Sequence, residues 1–157
     1  IPNTMRFANG LKLLDMMPMG YDLSYVTRLF NALGTAGRDS YLTTQLPIDM
    51  VYPLLFGLTY SFLLAYYIKK LNKHNSQYQL LCLLPILAGI ADYLENIGII
   101  LLLQNSSNLT ETTVKVTSFF SVVKSVSTSM YFIVLTVALI TLGIKSLNKI
   151  KMGLPVQ

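Results

Sequence analysis

The chain has 157 residues, of which 53% are hydrophobic and 12% charged, where an ordinary soluble domain carries about 25% charged residues. Such a composition points to one membrane-embedded bundle rather than to two soluble domains. The net charge of +5 does not point to nucleic acid, because the basic residues collect at the ends of apolar runs. A single cysteine, Cys82, rules out an internal disulfide and a paired-cysteine metal site, and the one histidine, His74, lies in a polar stretch. Neither a metal nor a cofactor is therefore expected.

The sequence opens Ile1-Pro2-Asn3, with no initiator methionine and no basic-then-apolar leader, so an earlier span is expected to precede it. Residues 1–46 carry Arg6, Lys12, Asp15, Asp22, Arg28, Arg38 and Asp39 and no run long enough to cross a bilayer. They are expected to form an extramembrane helical segment. Asp22 is placed to cap a helix whose Leu23, Val26, Leu29, Phe30 and Leu33 recur at helical spacing, and Gly34 or Gly37 is placed to end it. That stripe needs a partner, either the mouth of the bundle or the bilayer surface. A second short helix is expected to begin near Gly37.

Residues 47–157 form the expected transmembrane bundle, with apolar runs over 47–68, 78–103 and 116–144. Each exceeds the ~20 residues that cross a ~30 Å hydrocarbon core at ~1.5 Å per residue. Pro53 and Pro85 fall near the starts of their helices, where a missing amide donor is tolerated, and Gly57, Gly89, Gly98 and Gly143 permit close helix contact. Tyr52, Tyr60, Tyr66, Tyr67 and Tyr78 suggest an interfacial aromatic belt. Lys69, Lys70 and Lys73 follow the first run, and Lys145, Lys149 and Lys151 follow the last, whereas 104–113 holds neither Lys nor Arg. The positive-inside rule then makes the lysine ends, including the basic C-terminal tail, cytoplasmic, and the 104–113 connection and the N-terminal segment external. Those lysines are expected to touch acidic headgroups in a generic way. Asn105 and Asn108 sit in glycosylation triplets whose use is left open.

The unusual stretch is 91–99, ADYLENIGI, which places Asp92, Glu95 and Asn96 inside an apolar run. Helical spacing puts these three on one face with Pro85, Ala88, Gly89 and Ile99. Small residues mark helix contacts in bilayers, so this stripe is expected to face the bundle. In the last run Thr117, Ser121, Lys124, Ser125 and Thr128 share one side. Counted from the external ends, Glu95 lies roughly 12 Å deep and Lys124 roughly 10 Å deep. A Glu95–Lys124 pair is thus expected, with Asp92 about a turn deeper. An ionised side chain at a helix centre costs roughly 2.5–3.5 kcal/mol, so pairing, protonation or hydration must intervene. Two carboxyls beside one ammonium leave a proton available for transfer. The alternative role is a salt bridge that locks the register of the bundle. A second constellation, residues 37–53, has Asp49 in the first turn of its span, Tyr52 below it, and Arg38 as a donor to a carboxylate or a ligand anion.

GTAGRDSYL, PIDMVYPLLFGLTY and LPILAGIADYLENIGI together resemble the GxxGRxxY, DxxYP and DxxEN signatures of an uncharacterised family of small bacterial four-span membrane proteins. The resemblance covers roughly residues 20–130. It implies a bacterial cytoplasmic membrane, a first helix lacking from this chain, and motif positions at Arg38, Tyr41, Asp49, Tyr52, Pro53, Asp92, Glu95 and Asn96. No nucleotide-loop, HExxH or GxSxG motif is present.

The expectation is an all-α integral membrane helical bundle of three visible transmembrane helices, four in the full-length protein, with an external helical cap. Asp92, Glu95 and Lys124 are the candidate catalytic groups, and Arg38, Tyr41, Asp49, Tyr52 and Asn96 the candidate ligand-binding groups. The expected partner is a membrane lipid or small amphiphile, on which a carboxyl exchanges a proton. Alternatives are a structural or partner-binding subunit and a proton-coupled carrier assembled as a homo-oligomer.

Overall fold

Asp22 starts the first long helix in the computed structural model, which describes residues 2–72 and 76–151. Its carboxylate accepts the Tyr25 amide at 2.7 Å, and helix α1 runs over Leu23–Ser40. At Gly34 the backbone leaves helical geometry (φ 59, ψ −167) and then resumes it, so the break expected at Gly34 or Gly37 is a kink. Val26, Leu29, Phe30 and Leu33 are buried. They pack with Leu13, Leu14 and Leu46 against Ile99, Leu102 and Val114, so the partner of the stripe is the mouth of the bundle. The cap does not stop at Ser40. A π turn over Tyr41–Gln45 and a short helix over Leu46–Asp49 lead to α2, Tyr52–Lys70. Pro53 stands in the first turn of α2, where its missing amide is one of the donors a helix start leaves free anyway.

Helix α3 spans Leu84–Gln104, entered through short turns over Ser76–Leu80 and Leu81–Leu83, and α4 spans Glu111–Lys151. Lys73 and His74 lie outside the described residues. No strand is present among the described residues. The helical stretches Leu23–Lys70, Gln77–Gln104 and Glu111–Asn148 are each long and apolar enough to cross a membrane. The described residues thus form a membrane-type all-α bundle with three helices long and apolar enough to span. Leu54, Leu55, Phe62, Ile133, Val137 and Ile140 are exposed, which suits hydrocarbon and would be a large apolar patch in water.

Helix α3 is the central element. It packs along both α2 and α4, whereas α2 and α4 touch only lightly, leaving a wedge between them. The α2–α3 crossing is close: a β-carbon on Gly89 would sit 2.8 Å from the Pro53 carbonyl oxygen. Side by side in the wedge, Phe56, Tyr60 and Tyr131 meet in tilted ring contacts with centroids 4.6 Å and 5.2 Å apart. Tyr60 therefore belongs to the α2–α4 contact, held between two aromatic neighbours.

Candidate functional site

A strap from Leu13 to Asp22 crosses the mouth of the bundle. Leu13 and Leu14 are fully buried and anchor it. Polar contacts with α4 then hold it down. The Ser121 hydroxyl donates to the Met17 carbonyl at 2.8 Å, the Tyr21 amide donates to the Ser118 hydroxyl at 2.7 Å, and Lys124 Nζ reaches the Asp15 carbonyl at 3.4 Å. Ser118, Ser121 and Lys124 are spaced to share one face of α4. Gly20 lies at φ 82 against this face, where a β-carbon would sit 3.2 Å from Val122 Cγ2 and collide with Ser118 Oγ. On its other side the strap is tied to the cap, since the fully buried Tyr41 donates its hydroxyl to the Asp15 carboxylate.

Below the strap, Lys124 bridges two carboxylates of α3. Its Nζ lies 2.5 Å from Glu95 Oε2 and 3.2 Å from Asp92 Oδ1. The stripe containing Pro85, Ala88, Gly89, Glu95, Asn96 and Ile99 is buried, as a bundle-facing surface requires. Asp92 is its one partly open member, with 14% of its side chain exposed against 0% for Glu95. Glu95 Oε1 has no hydrogen-bond partner. Next to this triad, Asn96 Nδ2 donates to the Asp49 carbonyl at 3.2 Å, and Gln45 Nε2 donates to Asp49 Oδ2 at 2.7 Å. The Asp49 side chain is thus held by the π turn, and its main chain by α3. Among the described residues no group of His, Cys, Asp and Glu could hold a metal ion.

A groove of about 360 Å³ runs along the wedge past this triad. Tyr52 and Phe56 of α2 form one wall and Ala88, Gly89 and Asp92 of α3 the floor. Lys124, Ser125, Thr128 and Ser129 of α4 form the other wall, and Pro18 of the strap closes the top. Asp92 and Lys124 are its only charged lining residues.

The structure thus brings together Asp92, Glu95 and Lys124, with Asn96 and Asp49 adjoining them, and adds Tyr52 at the groove. It does not bring Arg38 there. Arg38 Nη1 lies 3.5 Å from the Phe30 carbonyl of its own helix, across the kink at Gly34, and Arg38 makes no ion pair with Asp39 or Asp49. Tyr41 also faces away from the groove, toward Asp15 inside the cap. Asn96 and Glu95 are fully buried and touch no groove space. Asp15, Ser118 and Pro18 were not legible as site residues: the strap has no periodicity. The one available signal was an acid, Asp15, set within the apolar run LKLLDMMPM.

This is the site of an all-α membrane-type bundle with a polar groove between its helices. The chain matches no protein-family model, no curated protein and no solved structure.

Proposed function

We propose that the groove binds the polar end of a membrane lipid or small amphiphile that enters sideways between α2 and α4. The observation that carries this reading is the 360 Å³ groove with Asp92 and Lys124 as its only charged lining. Phe56 in one wall and Ala88 and Gly89 in the floor supply apolar lining for the rest of such a ligand. Asp92 and Lys124, 3.2 Å apart, offer an acceptor and a donor to a ligand hydroxyl, carboxyl or amine. A proton-transfer reaction on such a ligand runs through Asp92, the carboxyl that touches groove space. Glu95 serves as a positioning group that holds the ammonium from behind. Membership of the small bacterial four-span family belongs to the same proposal. So does the orientation, with the cap outside and the lysine ends in the cytoplasm, which rests on the positive-inside rule.

A second reading has one specific support. Glu95 is completely sealed and ion-paired, as expected of a group that only fixes helix register. Native mass spectrometry of the protein released from mild detergent separates the two. An amphiphile that co-purifies, is lost from Asp92→Asn and is retained by Glu95→Gln supports binding at the groove. Absence of any bound species, or equal retention by Asp92→Asn, leaves the register lock.

A further inference from the structure

A cavity roomier than the acidic groove lies at the opposite end of the wedge from the triad. About 780 Å³ opens between the C-terminal ends of α2 and α4, bounded by Lys69, Lys70 and Lys145 and by Tyr66, Leu139 and Gly143. Three ammonium groups thus border one space that contains no carboxylate in its lining. None of the three makes an ion pair with a described residue. The sequence explains why. The acids Asp15, Asp22, Asp39, Asp49, Asp92, Glu95 and Glu111 leave 50–91 and 112–157 without any acid. Among the described residues, no carboxylate lies within ion-pair distance of these lysines.

Helix dipoles account for part of the arrangement, since Lys69 and Lys70 occupy the last turn of α2. They do not account for Lys145, which lies more than a turn before the end of α4 at Lys151. Lys70 also sits 5.9 Å from the Tyr66 ring centroid, which holds its ammonium beside the cavity rather than free in water. Chemically the space is two-sided. Amines and a tyrosine lie at the end of the spans, and Leu139 and Leu142 line the depth between them. A ligand with a phosphate at one end and hydrocarbon at the other matches both parts.

The geometry points to a binding site for the phosphate headgroup of an anionic phospholipid, held by Lys69, Lys70 and Lys145 with its acyl chains running down the α2–α4 wedge. This goes beyond generic attraction of a basic surface, because it has a shape as well as a charge. Gly143 gives the means to tell them apart: a β-carbon there meets nothing within 4 Å, so a larger side chain projects into open space without straining the backbone. The site is independent of the acidic groove.

The test is binding of a phosphatidylglycerol, with phosphatidylcholine as the neutral comparison, to the full chain in nanodiscs or detergent, read by native mass spectrometry. We expect preferential retention of the anionic lipid. Lys69→Gln/Lys70→Gln/Lys145→Gln should weaken it about a hundredfold, since each lysine near an anionic surface contributes about fivefold. Gly143→Leu should weaken it comparably at unchanged charge, with an unchanged melting temperature showing that the bundle is intact. Competition by millimolar inorganic phosphate would show a free-phosphate site and overturn the lipid assignment. Retention unaffected by Gly143→Leu would show a generic basic face, and retention unaffected by the triple substitution would remove the site altogether.

Discussion

Asp92 and Glu95 are a turn apart on α3 and share the ammonium of Lys124, yet only Asp92 opens onto the groove. Their shared partner makes them one electrostatic unit, whereas their difference in exposure gives them different work. Glu95 fixes where the ammonium sits. Asp92 and that ammonium present the charge to whatever fills the wedge.

Lys124→Met should be the most destabilising change at the site. It leaves Asp92 and Glu95 without their cation, and removing one partner of a buried pair costs about 3–5 kcal/mol. The melting temperature in detergent should fall clearly, by more than it does for Asp92→Asn, whose side chain is the more open of the two carboxylates. Equal melting temperatures for wild type and Lys124→Met would mean that the ion pairs do not hold α3 to α4.

Filling the groove should block binding without weakening the bundle. Ser125→Leu adds volume to the wall formed by α4, where the native side chain lines about 360 Å³ of open space. Retention of an amphiphile should drop while the melting temperature stays level. A ligand held as well by Ser125→Leu as by wild type lies elsewhere.

The strap should detach when its tie to the cap is cut. Tyr41→Phe removes the hydroxyl that donates to Asp15 and leaves that carboxylate short of a partner. Loss of one such hydrogen bond costs about 1–3 kcal/mol when a charged group is left behind. Faster amide exchange over residues 13–22, with α3 unaffected, is the expected readout; unchanged protection there would show that Leu13 and Leu14 suffice.

The first cap gives a pH dependence. The Tyr25 amide, and then the Ser24 hydroxyl, hold the exposed Asp22 carboxylate below its ordinary value of 3.8. A depressed carboxylate stabilises the fold above the unfolded value and loses that contribution as pH falls through the folded value. Protection of the first turn of α1 should therefore be full at pH 5 and decline below about pH 4, and Asp22→Ala should abolish that dependence. A variant that shows the same acid transition would assign it to another carboxyl.

Much of the fold was legible because it is governed by local rules. Apolar runs longer than the bilayer is thick have to be helices, since only a helix satisfies its own amides in hydrocarbon. The period of Val26, Leu29, Phe30 and Leu33 and the cap at Asp22 fixed α1 in the same way. The acidic face of α3 followed from spacing alone, and the level of Lys124 from counting residues inward. What spacing could not give was the path of the strap, because residues 13–22 have no period and their positions come from Ser118, Ser121 and Lys124, about a hundred residues away. Arg38 shows the same limit: its partner is a main-chain carbonyl across the kink at Gly34, not a carboxylate that charge complementarity would have picked.

The sequence by itself determined that this is a helical membrane protein with charges inside it, because composition and periodicity decide what a segment can bury and in which solvent. Only the tertiary structure decided that α2 and α4 diverge around α3, leaving a groove that reaches Asp92 but not Glu95. The groove's shape depends on the close α2–α3 crossing at Gly89 and on the ring contacts of Phe56, Tyr60 and Tyr131 that join α2 to α4. These are contacts between residues far apart in the chain, and their geometry exists only once the helices have packed.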